Sequence, residues 1–163
     1  MKSYEIKIEW DGPFKVDEVI EKMNRAGDAP LWDGEDYGLY QIYGEHTLCG
    51  KNTLLYIGIT TERTFSQRFK EHKIWLDKDQ KNEDVLIYLG RVYDPKRHVT
   101  DEIWKADIKI SEKILIYIYS PNYNSRELTD SPDLSPHENI RLIHSGQYGK
   151  IGPEDNAPDD FSI

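Results

Sequence analysis

Two tyrosines with glycines beside them, in strand-like runs close enough to pair, would set two phenols over a cleared floor suited to chemistry on a phosphate. The tyrosines belong to the tripeptides Gly38-Leu39-Tyr40 and Tyr56-Ile57-Gly58, which lie in the runs GLYQIY and TLLYIGI. Strand side chains alternate, so Gly38, Tyr40 and Ile42 share one face, as do Leu54, Tyr56 and Gly58. Antiparallel pairing of the two runs sets both phenols on the same side. Glycine inside a strand pattern indicates close approach, which clears a floor beneath the tyrosines. The plainer alternative is that both are ordinary strand tyrosines, of which the chain has eleven.

Arg68 and His72 are four residues apart and stack on one helical face. Arginine offers planar, permanently charged donors for a phosphate, and histidine exchanges a proton near neutral pH. A solvated face explains them equally simply, since Lys70 and Glu71 lie between them. Glu112 has Ile108, Leu115, Ile116 and Tyr119 as helical neighbours. A carboxylate in an apolar stripe is costly unless paired or bound to a cation, and a hard divalent ion is often held by one or two carboxylates. A helix-edge pairing with Lys109 or Lys113 is the alternative. Asn124 lies in the turn Pro121-Asn122-Tyr123-Asn124, where asparagine is also common turn chemistry.

The elements that must position these residues are readable from periodicity. SYEIKIEW alternates as a strand, with DGP as its turn, and VDEVIEKMNRAG reads as a helix ending near Gly27. GLYQIYG and TLLYIGIT are strands joined by a polar connector, EHTLCGKN. TTERTFSQRFKEHKIWL reads as a helix with apolar positions Phe65, Phe69, Ile74 and Leu76. DVLIYLGRVY is a strand, and TDEIWKADIKISEKILIYIYS a long helix stopped by Pro121. After the loop PNYNSRE and the proline-rich LTDSPDLSPHE, NIRLIHSG reads as a short strand. The tail from about Pro153 is acidic and reads as loosely held.

The length of 163 residues fits one domain, 1–163. The longest apolar run, Ile114 to Tyr119, is far too short to span a membrane. The start, MKSYEIKIEW, has no apolar signal core, and Cys49 is the single cysteine, so a cytoplasmic location is expected. The net charge of −9 argues against a nucleic-acid partner. Its distribution weakens that objection: residues 1–37 carry −5 and 127–163 carry −6, while 38–126 carry +2. A basic patch of Arg63, Arg68, Lys70 and Lys73 follows the second tripeptide.

The order Gly38-Leu39-Tyr40, Tyr56-Ile57-Gly58, Arg68, His72, Glu112 and Asn124 resembles the GIY-YIG nuclease family over a core from Gly38 to about residue 126. Leucine replaces isoleucine in the first tripeptide, and the link between tripeptides looks like an insertion. Arg63 competes with Arg68 and Asn122 with Asn124; the face shared with His72 and the twelve-residue spacing from Glu112 favour Arg68 and Asn124. A stand-alone core of this kind is most similar to the restriction-enzyme branch.

The resemblance implies an α+β fold: a small, mainly antiparallel three-stranded sheet flanked by helices. The catalytic core would span 38–126, with an added strand and helix in 1–37 and a strand and acidic tail in 127–163. It also implies a DNA endonuclease that uses Mg2+ or Mn2+ held by Glu112. Tyr40 would be the general base, its proton taken by His72 or its pKa lowered by Arg68 and the metal. Arg68 would stabilise the phosphate charge, Tyr56 would hydrogen-bond the phosphate or the water, and Asn124 would orient the site. Gly58, Lys51, Arg63, Lys70 and Lys73 are the expected substrate contacts, with His46 a further candidate near Lys51. The expected partner is DNA and not a membrane; monomer and homodimer remain open. The competing reading is a catalytically silent nucleic-acid-binding or protein-interaction domain.

Overall fold

The structure, a computed structural model, describes residues 3–24, 36–92, 100–124 and 139–158. Its elements in chain order are β1 (Tyr4–Phe14), α1 (Val16–Lys22), β2 (Gly38–His46), β3 (Gly50–Thr60), α2 (Phe65–Asp79), β4 (Leu86–Val92), α3 (Asp101–Tyr119), β5 (Ile140–Gly146) and β6 (Glu154–Asn156). The fold is mixed α/β around one six-stranded sheet, in the order β3-β2-β4-β1-β5-β6. β1 and β5 run parallel, and the other neighbours are antiparallel.

The expected three-stranded sheet is therefore corrected. The strands that carry or flank the tyrosines, β3, β2 and β4, form one half of a larger sheet. β1 does not stand apart as an appendage, because its Ile8 to Asp11 segment pairs with Val92 to Leu89 of β4. The reason lies in its alternation: Ile6, Ile8 and Trp10 are buried while Glu5, Lys7 and Glu9 face out, so the strand has a core side to contribute.

Helices cover both faces of the sheet. Tyr40, Ile42, Ile87 and Leu89 pack with Val16 and Val19 of α1 and Phe65, Phe69 and Leu76 of α2. On the opposite face Ile6, Ile8, Leu39 and Ile57 pack with Trp104, Ile108 and Leu115 of α3. Among the described residues, no helix is long and apolar enough to cross a membrane.

Four local expectations are corrected. The connector EHTLCGKN is no inserted loop: β2 runs on to His46 and β3 starts at Gly50, so only Thr47-Leu48-Cys49 turn. Gly50, at φ +85°, supplies the left-handed residue such a tight turn needs. Asp11-Gly12-Pro13 lies within β1 as a register irregularity rather than ending it. α1 stops at Lys22, short of Gly27, which lies outside the described residues. The acidic tail contributes β6, where Asp155 is buried and pairs with Leu142.

Candidate active site

The hairpin register sets the floor of the site. Tyr40 lies directly opposite Gly58, and Ile42 lies opposite Tyr56. The two phenol rings stack on the diagonal, with centroids 6.1 Å apart and planes 25° apart. Gly58 is required by space: a Cβ there would come within 2.5 Å of the Tyr40 hydroxyl and 2.6 Å of the Tyr56 ring. Gly38 has a backbone role instead. Its φ is +148°, and a Cβ would meet the Gly90 carbonyl at 2.1 Å. The first glycine of the pair of tripeptides brings β2 against β4, and the second makes room for a phenol tip.

α2 brings the polar partners. It begins at Thr64, whose hydroxyl accepts from Gln67 N at 3.3 Å while the Gln67 side chain accepts from Thr64 N at 3.0 Å. This reciprocal cap fixes where the helix starts and hence which residues face the sheet. Phe65, Phe69, His72 and Leu76 point inward, while Ile74 is 66% exposed. The expected apolar stripe is corrected at that point: the helical period selects His72 for the buried face and leaves Ile74 outside it.

Arg68 and His72, one turn apart, meet at the Tyr40 oxygen. Arg68 Nε donates to it at 3.1 Å, and His72 Nε2 lies 2.7 Å from it. Trp75, one turn further on, donates from Nε1 to His72 Nδ1 at 2.9 Å. Arg68 also donates to Glu71 Oε2 at 2.6 Å, and Arg63 bonds the other oxygen of the same carboxylate. The competition between Arg63 and Arg68 thus resolves into one cluster, with Arg68 on the phenol and Glu71 between the two guanidinium groups.

Burial pushes the Tyr40 phenol well above its usual range, with neighbouring Tyr56 and the charge of Glu112 adding to the effect. Arg68 opposes it through charge and hydrogen bond. The phenol is therefore protonated at neutral pH. Burial, aided by the Arg68 charge, lowers His72 to about 4. The expectation that His72 exchanges protons near neutral pH is corrected: in this pocket it is a neutral imidazole. Arg68 stays cationic. Its burial works against the charge, but Tyr40 and Glu71 more than offset it.

Asn124 sits on the outer side of the edge strand β3. Its Nδ2 donates to Ile57 O at 2.8 Å, and Ile57 N donates to its Oδ1 at 2.9 Å. Tyr123 N donates to Leu55 O at 2.8 Å just before it. Asn122 lies outside this grip and donates to Cys49 Sγ at 3.7 Å. Glu112 is half-buried on α3, among Ile108, Leu115 and Ile116, which are buried. Its carboxylate lies close enough for its charge to reach the Tyr40 phenol.

The other basic candidates are spread out. Lys51 pairs with Asp84 at 3.7 Å near the start of β3. It is seven residues from Gly58, roughly 23 Å along an extended strand. Lys73 pairs with Asp17 of α1 at 3.2 Å and with Asp77 at 3.5 Å. Lys70 is exposed on α2. His46 accepts from the amides of Leu48 and Cys49 in the hairpin turn. Trp75 and Glu71 are the site residues that sequence reasoning passed over; the signal for Trp75 was its spacing of three from His72.

Among the described residues, no three acidic, histidine or cysteine side chains cluster as a metal cage. A hard cation that keeps most of its waters and shares substrate oxygens does not need one. Glu112 is the carboxylate whose charge reaches the phenol, and then only weakly. Comparisons with models of protein families, with characterised proteins and with solved structures find no match to this chain.

Proposed function

We propose that the chain is a metal-dependent endonuclease that hydrolyses phosphodiester bonds in DNA. The observation that carries this reading is the convergence on one buried phenol. Tyr40 has Arg68 and His72 on its oxygen and Gly58 beneath it, while Glu112, on α3 across the sheet, bears on the phenol only through the weakest of the charge effects that raise it. A tyrosine that only filled a core would need neither the cation nor the missing Cβ.

Each residue then has a task. Tyr40 would first lose its own proton to a water that enters with the substrate; the phenolate then holds the attacking water against the phosphate and takes that water's proton, which restores the phenol. The cation of Arg68 favours that ionisation and, partly exposed, also faces the charge building on the phosphate. His72 braces the phenol oxygen. Tyr56, stacked on Tyr40, fixes the ring and offers a second hydroxyl beside it. Asn124 acts through the β3 backbone. Glu112 would hold the divalent ion, which when bound supplies charge for the phosphate and the leaving oxygen. Arg63 and Lys70 face solvent beside Arg68 and suit contacts with the DNA backbone; Lys51 and Lys73 are engaged in ion pairs away from the phenol.

The test is cleavage of plasmid DNA with Mg2+ or Mn2+ by wild type, Glu112→Ala and Tyr40→Phe. Loss of cutting in both variants, with the fold intact, is expected. Undiminished cutting by both would sink the assignment. The acid excess favours a second reading, a binding domain that does not cut. Salt-sensitive DNA binding with no cleavage in any divalent metal would select it.

A further inference from the structure

We infer that Trp75 is a positioning residue: its indole N–H locks His72 in the Nε2–H tautomer, which makes His72 a hydrogen-bond donor to Tyr40 and not a base. This deepens the proposed function and rests on it only for the role given to Tyr40. The argument is one of donors and acceptors. An indole N–H can only donate, and a neutral imidazole carries one N–H and one lone pair. Trp75 Nε1 lies 2.9 Å from His72 Nδ1, so the lone pair is on Nδ1. The proton is then on Nε2, the atom 2.7 Å from the Tyr40 oxygen. An imidazolium would set its Nδ1–H against the indole N–H, so the same contact disfavours the charged form.

The chain contains this pairing a second time. Trp10 Nε1 donates to His144 Nδ1 at 2.9 Å, and His144 Nε2 lies 3.1 Å from Asp155 Oδ2. A carboxylate accepts, so Nε2 must donate there too. In both places a tryptophan on Nδ1 leaves a donor at Nε2. At Tyr40 the consequence is specific. The phenol oxygen receives two donors, Nε2–H of His72 and Nε–H of Arg68, and its own O–H points away from both. Neither partner can remove that proton, so ionisation of the buried Tyr40 needs an acceptor outside this cluster, such as a water that enters with the substrate. The phenolate that remains keeps both donors. The titratable and charged groups around the imidazole are Arg68 and Glu71 on its own helix and Tyr40 and Tyr56 on β2 and β3.

The test reads the imidazole directly, by proton–nitrogen correlation spectra of the metal-free full chain with labelled histidine at neutral pH. His72 is assigned by its disappearance in His72→Gln, and His144 serves as internal reference. The wild type should show the Nε2–H pattern for both residues. Trp75→Phe, checked for folding by circular dichroism, should convert His72 alone to Nδ1–H or to an exchange average. An Nδ1–H form in wild type, or an unchanged His72 in folded Trp75→Phe, overturns the inference.

A second arm does not depend on Trp75→Phe folding. A glutamine amide can donate from the place of Nε2 but cannot act as a base. His72→Gln should keep cleavage within about tenfold of wild type, while His72→Ala should lose about 10²-fold, the scale of one lost donor. Equal losses overturn the donor role. If the spectra are as expected but the wild type cuts nothing, the nuclease reading fails and the tautomer lock stands.

Discussion

The side-chain amide of Asn124 grips both backbone hydrogen-bonding groups of Ile57, at 2.8 and 2.9 Å. Ile57 lies between Tyr56 and Gly58 on the edge strand of the sheet, so this amide does what a further strand would do. It holds the segment that supports the Tyr40 phenol while touching none of the reacting groups. Asn124→Ala leaves two buried backbone groups unpaired, at about 1–3 kcal/mol each. Urea unfolding should show a loss of at least about 2 kcal/mol, and cleavage should fall through the displaced strand. Asn124→Asp keeps the acceptor and loses the donor, so it should lie between wild type and alanine.

Gly58→Ala tests the floor. The new methyl would lie 2.5 Å from the Tyr40 hydroxyl and 2.6 Å from the Tyr56 ring. The tyrosine cannot swing aside freely, because Phe65 and Phe69 pack edge-on against it and two hydrogen bonds hold its oxygen. The expected result is a stability cost of about 1–3 kcal/mol from overpacking and a cleavage loss of about 10²-fold from the displaced phenol. Stability and cleavage should thus separate. Cleavage that stays at the wild-type level would mean that the phenol oxygen does no chemistry.

The tyrosine hairpin was legible because alternation and embedded glycines are local signals; the start of α2 was not, since the helical reading ran from Thr60 whereas Thr64 caps a helix that begins at Phe65. Other features depended on the partner surface. His72 and Ile74 lie about 200° apart around the helix, so only one of them can face inward, and the sheet decides which. The place of β1 between β4 and β5 is a long-range choice that no window of sequence contains. The stretch EHTLCGKN looked like a loop because its residues are polar; it continues the strands because His46 and Gly50 pair across the turn that closes the hairpin. Trp75 was passed over, because its role depends on the direction of one N–H.

Glu71 presents its carboxylate to Arg63 and Arg68 together. Two guanidinium groups around one anion are also what a phosphate would meet, so substrate has to displace Glu71 to reach them. Glu71→Gln removes the competing charge and keeps an acceptor. DNA affinity in filter binding at low salt should rise about threefold to tenfold, a gain of about 0.7–1.4 kcal/mol, and the difference should shrink as salt screens the arginines. Weaker binding would mean that Glu71 instead holds the arginines in place for the substrate.

His72 supplies a pH test of the same pocket without any substrate. Its folded-state pKa of about 4 lies below the ordinary 6.5. Above about pH 6.5 it is neutral in both states and adds no slope. As pH falls from about 6.5 to about 4, the unfolded chain takes up a proton that the folded chain refuses, so stability falls. Below about 4 both states are protonated and the slope ends. The full effect is about 3 kcal/mol at 1.36 kcal/mol per unit. Carboxylates also titrate near the lower limit, but they do so in His72→Gln as well. The difference in unfolding free energy between the two proteins, followed by urea denaturation, should therefore change by about that amount across the window. Parallel curves between pH 6.5 and 4.5 would show that His72 is solvated and that the pocket around Tyr40 is open.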